Sequence, residues 1–561
     1  MLLLLCSCKE SQPIVKNLSS TNSRIFIKTF HEGLRLKLKG DYLEAIERFK
    51  ECLEKEPTDD AAHFALAQTY LQIGDLQSAE IHTVSAVEYD RDNIFYQVEL
   101  AYMLREKGAY MESGELFELI TEARPRSVEY YMAAISCYRM NKSNLKAISV
   151  LEKLEDTKGA SLETSLRKHQ LYFELGKNKE AEKILLALYK RDKKNPVVIA
   201  SLVDYFFRTK QELKAYEKLE ELVVVDPLNG LGFLMLAENE YEKGNTDKTA
   251  AYFYKAIETE NIGTTETLGA FEYLVYAKDS VKVKQSISIM KQSFSSNDTV
   301  FAAIGDYYMK SRRIDDLVLG VEYYTNAVEF NPNRYDIWQK LLYVYYDSKS
   351  WSQLKEASDK TVRLFPLNPE PYYLGSVAYN QLRSFQNAEQ FVRQGLMAVV
   401  ENPILKSDLL GQLGEAFFGM GNLDEGLNSY MQAIQIKEKT TQGYLRFNLA
   451  LRLYEKKFKL GKALEIIDLL IMNSQQKEAN VMVLKSDILF ELERFDEVLL
   501  VLAEISIDNQ KFKAGILERK GDVFAKQLKY VDAIWHWKES KKLGGDGKDL
   551  LEKIKTGRYV E

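Results

Sequence analysis

Five histidines, four cysteines and one glycine-rich turn are the residues of this chain that could carry catalytic or metal chemistry. His31, His63, His82, His169 and His536 form no HExxH pair, and none sits beside cysteines at zinc-ligand spacing. We read all five as surface or helix-packing residues. LGGDGKDL at 543–550 approaches a phosphate-binding loop, but the loop's first glycine position falls on Lys542. Asp549 stands where Ser or Thr would ligate magnesium, so a helix stop is the better reading. Neither a GxSxG elbow nor calcium-loop spacing occurs. Cys52 and Cys137 fall within apolar helical patterns, where a free thiol behaves as a small hydrophobe. The expectation is a protein that is not an enzyme and has no cofactor, metal or small-molecule substrate.

If the chain does no chemistry of its own, the elements that would carry those residues become the subject. At 561 residues it exceeds one compact core, so several domains or a repeat array is required. Only 10 Pro and 29 Gly punctuate it, too few for an all-β protein and suited to helices. The net charge of −6 and the lack of a basic stripe argue against nucleic acid as a partner. Beyond residue 8 no apolar run is long enough to span a bilayer as a helix.

A period of 34 organises the first half. Ala45, Ala79, Ser113, Ala147, Ala181 and Ala215 recur at that spacing, each nine residues after Leu36, Tyr70, Leu104, Tyr138, Tyr172 or Phe206. Pro57, Pro125 and Pro227 lie twelve after three of the small residues, where a helix should stop. Later stretches read Leu410-x2-Leu413-Gly414-x2-Phe417 with Gly426-x3-Tyr430, and Gly521-x2-Phe524 with Ala533-x3-Trp537. Trp338-x2-Leu341 with Tyr345 and Pro366 gives a third match. This pattern resembles the tetratricopeptide repeat, and the resemblance covers nearly the whole chain. It implies an all-α, right-handed superhelical solenoid of about 14–15 helix-turn-helix units. The expected organisation is an N-terminal array over 24–260, a degenerate repeat and place for a bend at 261–298, and a C-terminal array over 299–541. Residues 542–561 are expected to form a capping helix, over about 546–557, and a tail. About three extra residues are expected between the helices around 311–320.

The same resemblance places positions 2, 5, 9 and 12 of each first helix on the concave groove. Early in the chain these are Ile27, Phe30, Leu34 and Lys37, then Ala61, Phe64, Gln68 and Leu71, then Phe95, Val98, Tyr102 and Arg105. Phe30, Leu34, Phe64, Leu71, Phe95, Val98, Tyr102 and Arg105 would form an apolar, aromatic partner groove with a basic edge. Phe30, Leu34 and Phe64 stand where a chaperone-tail carboxylate clamp would need Lys, Asn and Arg. Farther along, Asp408, Glu415, Glu455, Asp487, Glu518 and Asp522 would line an acidic groove, with Tyr343, Tyr346 and Tyr373 just upstream. Such a surface suits basic protein segments. The expected partners are other proteins or peptide segments.

The opening MLLLLCSCKE resembles the end of a bacterial lipoprotein signal: Leu5-Cys6-Ser7-Cys8 matches a lipobox with Cys8 as the lipidated residue. Its apolar run is shorter than the roughly 7–15 residues of a full signal and lacks a basic start, as a start site placed too late would explain. Residues 1–8 then read as the signal remnant and 9–23 as a polar tether. This implies a scaffold lipid-anchored in a Gram-negative envelope, the outer membrane favoured over the inner, serving assembly or secretion machinery. The alternative is a soluble cytoplasmic scaffold or regulator that merely begins with leucines.

Overall fold

The computed structural model describes residues 20–311, 313–436, 442–472, 478–505, 509–547 and 549–560, all of them helix, turn or loop. The proposed lipid site Cys8, and tether residues 9–19, lie outside the described residues. Two compact units divide the chain at Ile262 and Gly263. The first holds seven helix pairs: α1 (Ser20–Lys39) and α2 (Tyr42–Lys55), α3 (Asp60–Gln72) and α4 (Leu76–Tyr89), α5 (Ile94–Glu106) and α6 (Tyr110–Ala123), α7 (Val128–Met140) and α8 (Asn144–Lys158), α9 (Leu162–Glu174) and α10 (Asn178–Arg191), α11 (Pro196–Arg208) and α12 (Glu212–Val225), α13 (Gly230–Glu242) and α14 (Thr246–Glu258).

Its partner unit has eight pairs and a last short helix: α15 (Thr264–Tyr276) and α16 (Ser280–Ser293), α17 (Asp298–Met309) and α18 (Ile314–Phe330), α19 (Tyr335–Asp347) and α20 (Trp351–Leu364), α21 (Glu370–Gln381) and α22 (Phe385–Ala398), α23 (Pro403–Met420) and α24 (Leu423–Ile436), α25 (Gln442–Glu455) and α26 (Leu460–Met472), α27 (Ala479–Glu491) and α28 (Phe495–Ala503), α29 (Gln510–Lys526) and α30 (Tyr530–Lys542), then α31 (Leu550–Thr556). Each unit is an all-α solenoid of helix pairs, in which neither helix of a pair could bury its apolar stripe alone.

The periodic residues explain the close packing. Ala45, Ala79, Ser113, Ala147, Ala181 and Ala215 are all fully buried near the start of an even helix. Large rings fill the space they leave: Tyr138 is fully buried, its ring against Gly114 and its hydroxyl donating to Glu118 at 2.7 Å. A second signal with the same spacing was not read from the sequence. Gly40, Gly74, Gly108, Lys142, Gly176, Lys210, Gly244 and Lys278 all have positive φ, at the turn from odd to even helix. That turn needs a left-handed residue, and at three of these eight positions lysine takes it at a cost of about 1 kcal/mol each.

Several boundaries differ from expectation. The helix α1 begins at Ser20, so the end of the expected tether is helical; Ser19-Ser20-Thr21-Asn22 is a run of residues that favour helix starts. Over 261–298 the chain forms the pair α15 and α16, and the period does not slip there: buried Thr249 and Val283 continue the 34-residue series. Thr and Val hid the series because they are larger than Ala, yet they occupy the same buried place. Around 311–320 the extra residues enter a helix rather than a connection: α18 has 17 residues against 14 in α16, and Gly320 takes the small-residue role against Met309. The capping helix is shorter than expected: Gly544 to Gly547 and Asp549 are not helical, and α31 runs only from Leu550 to Thr556.

Two of the histidines make a part-buried pair. His63 Nε2 lies 3.1 Å from the Pro57 carbonyl and must carry the proton there; its Nδ1 then accepts from His82 Nδ1–H at 3.0 Å. Burial, the neighbouring His63 and Lys50 push the His82 pKa below its ordinary 6.5, and burial does the same for His169. The sign follows directly: below that pH the unfolded chain binds protons that the fold resists, so stability is present above pH 6.5 and falls as pH drops through it. The melting temperature should therefore fall between pH 7.5 and 5.5, with a shallower dependence in His82→Gln. A flat wild-type profile would disprove this.

Candidate partner grooves

The odd-numbered helices stack side by side within each unit, and polar contacts spanning about one repeat tie them together. In the first unit Tyr96 donates to Asp60 at 3.1 Å and Tyr102 to Glu129 at 3.3 Å. In the second, Lys340 reaches Asp306 at 2.5 Å and Arg452 reaches Glu415 at 2.8 Å. Residues on these helices therefore form a continuous face within a unit, as a groove requires.

The early aromatic residues divide between core and surface. Phe30, Leu34 and Leu71 pack half-buried against the core of the first repeats, and the Phe30 ring lies 5.7 Å from that of Phe49. Val98 and Tyr102 do the same around Phe117, with the Tyr102 and Phe117 rings at 5.1 Å. Phe64 is half-buried with its ring 4.5 Å from Tyr96. Arg105 lies over the Tyr102 ring at 4.8 Å, giving that edge its positive charge. Phe95 is 76% exposed and is the aromatic side chain of this set most open to a partner. It lines a cavity of about 610 Å³ with Arg124, Arg126 and Tyr130.

On the second unit the predicted carboxylates are present on odd helices, already engaged with neighbouring repeats. Asp408 accepts from the Tyr444 hydroxyl. Glu415 takes Arg452 and the Tyr430 hydroxyl, while Glu455 holds the other side of Arg452 at 2.6 Å. Asp487 pairs with Arg519 through both oxygens, at 2.7 and 3.0 Å. Glu518 and Asp522 share Lys553, at 3.2 and 2.9 Å. Much of the charge read from the sequence is thus neutralised by bases one repeat away.

What the sequence did not reveal is Glu370. It receives Tyr335 at 2.5 Å, Tyr343 at 2.5 Å and Gln339 at 2.7 Å, all from α19. Among the described residues it forms no ion pair. Its hydrogen bond, then burial, pushes the Tyr343 phenol up to about 12. Burial is the main cause of the upward shifts at Tyr335, Tyr373 and Tyr444. All four phenols stay protonated near neutral pH, and Tyr335, Tyr343 and Tyr444 donate to carboxylates. Tyr343 and Tyr444 are 44% and 46% exposed, so their hydroxyls are held while their rings face solvent. The 35-residue interval from Tyr335 to Glu370 is the signal that could have found this cluster.

No group of three His, Cys, Asp or Glu among the described residues could hold a metal, and none of the described helices is long and apolar enough to cross a membrane. The tetratricopeptide-repeat family matches twice, at residues 36–97 and 407–440. No curated protein matches the chain. Among solved structures, Naa15/Naa10 bound to HypK-THB is 14% identical, covers 96% of this chain and 92% of its own, and has a TM-score of 0.34. The anaphase-promoting-complex assembly Cut9–Hcn1 is 13% identical over 96% of each chain, at 0.29. A tetratricopeptide repeat protein from Parabacteroides merdae is 18% identical, over 45% of this chain and 98% of its own, at 0.24.

Proposed function

Because the chain is a tetratricopeptide-repeat protein, we propose that it works without catalysis, as a scaffold holding segments of other proteins against its odd-helix faces. The observation that carries this is the Glu370 cluster. Hydrogen bonds between neighbouring repeats fix exposed tyrosine rings before any partner arrives. Rigid aromatic side chains offer large contact area with little entropy left to lose. Affinity would come from these rings and from Phe95, with charge setting orientation and approach rate.

In this reading a lipid on Cys8 tethers the scaffold to a bacterial envelope membrane, where its partners are other envelope proteins in assembly or secretion. Support for the anchor is the Leu5-Cys6-Ser7-Cys8 run. One experiment addresses both parts. A photo-crosslinking residue is placed at Phe95, Tyr343 or, as an even-helix control, exposed Leu213, in protein expressed from its native locus beside Cys8→Ser. The expected result is discrete partners at Phe95 and Tyr343, none at Leu213, and an acylated chain beginning at Cys8 that leaves the membrane fraction in Cys8→Ser. Equal crosslinking at all three positions would remove the groove reading. A soluble, unlipidated chain would replace the anchor with a cytoplasmic scaffold.

A further inference from the structure

The last part of the second unit's odd-helix face is already occupied by the chain itself. After α31, Gly557 adopts a left-handed conformation (φ 67°), its N–H donating to the Lys553 carbonyl at 2.9 Å, and turns the backbone away from the helix axis. Two residues later Tyr559 lies across odd-helix side chains. Its ring centroid is 5.5 Å from that of Phe490 on α27. Lys526 of α29 sits 4.6 Å from the same ring and Lys553 5.5 Å from it. The ring also lines a cavity of about 290 Å³ with Tyr454, Asp487, Glu518 and Arg519, contributed by three odd helices.

This placement has the features of a bound ligand. An aromatic ring meets another ring on one side and two ammonium groups near its π-face, an arrangement attractive to aromatic residues in general. The carboxylates around it do not select for a cation, because Asp487 is paired with Arg519 and Asp522 and Glu518 with Lys553. The groove at this point therefore selects an aromatic side chain. Tyr559 also packs beside the buried cluster of Ala525, Ala533, Trp537 and Leu550, and so short a segment gains much of its occupancy from the high effective concentration of a tethered group.

We infer that Gly557–Val560 is an intramolecular occupant of this groove, and that a protein segment binding there does so by inserting an aromatic side chain in place of Tyr559. The docking stands on the contacts above; the exchange with a partner rests on the scaffold reading. The last repeats would thus be closed to weak ligands while exposed Tyr343, held by Glu370, and Tyr444, held by Asp408, remain open.

The test uses the chain's own segment as the probe. A fluorescein-labelled peptide of residues 556–561 is titrated to millimolar concentration, by anisotropy, into the wild-type chain, a chain ending at Thr556, and full-length Tyr559→Ala. The expected result is at least tenfold tighter binding to both altered chains than to wild type. Phe490→Ala in the shortened chain, or Tyr559→Ala in the peptide, should abolish it. Circular dichroism melting checks that each variant is folded, and Tyr559→Ala serves if the shortened chain melts early. Equal binding to wild type and the altered chains overturns the inference, as does no binding to a folded Tyr559→Ala chain. A wild-type dimer that dissociates on Tyr559→Ala would also overturn it, placing the segment on a second copy. Since no outside partner is used, these outcomes are separate from those of the crosslinking experiment.

Discussion

Trp537→Ala should lower the unfolding free energy of the C-terminal repeats by about 3–5 kcal/mol, the range for truncating a buried aromatic to alanine. Trp537 is fully buried on α30. Its indole lies against Gly521, where a Cβ would come within 2.5 Å of the ring, so the two helices are as close as their side chains allow. Alanine leaves a cavity that these backbones cannot readily close. It also removes the indole N–H that donates to Asp522 at 2.9 Å, so that this half-buried carboxylate keeps Lys553 but loses one of its two donors among the described residues. Because each repeat leans mainly on its neighbours, the loss should appear as early local unfolding. Hydrogen exchange should show lost protection in α29–α31 while α1–α14 keep theirs. Trp537→Phe should restore part of the packing and none of the hydrogen bond. A loss under about 1 kcal/mol would mean that the site collapses around alanine and that the indole is no keystone.

Lys553→Met should cost a comparable amount, about 3–5 kcal/mol, for a different reason: it strands buried charge rather than opening a cavity. Lys553 is only 7% exposed although it carries an ammonium group. Burial alone would lower its pKa, yet Asp522 and Glu518 hold it above the ordinary lysine value. Methionine fills similar space and leaves two carboxylates facing each other. Asp522 is already raised above its usual range by burial, even with the lysine present. A carboxyl with a raised folded pKa favours the fold at low pH, and that advantage is lost as pH rises through the folded value. The deficit of Lys553→Met should therefore be largest at neutral pH and shrink toward pH 4. Denaturant unfolding of both proteins at pH 7 and pH 4.5 measures it; a deficit unchanged with pH would mean that lost packing, not stranded charge, is the cause. The two substitutions share Asp522, so their costs should not add.

The candidate site was legible in part. Helix-A periodicity assigned Phe30, Phe64, Phe95 and Tyr102 to first helices of their repeats, and they lie on α1, α3 and α5. It could not tell that Phe30 spends its ring on Phe49 while Phe95 stays open, because burial depends on the neighbouring repeat's side chains. The acidic positions were also found, but as charges to be counted. For Glu415, Asp487, Glu518 and Asp522 the partners Arg452, Arg519 and Lys553 sit 31 to 37 residues away, a distance over which charge patterning in one helix has nothing to say. Glu370 was missed for the same reason.

Residue types and their spacing were enough to determine that this protein is helical, repetitive and built on a 34-residue unit. Ala45 through Ala215, and the large apolar or aromatic residues nine before them, state the close approach of two helices within one unit, a local matter that periodicity records. Tertiary structure alone decided which aromatic rings stay exposed, which carboxylates are paired with bases and which stretch of groove is filled by Tyr559. Those outcomes depend on contacts between repeats, where a residue's partner lies a full period away and no local rule of sequence names it.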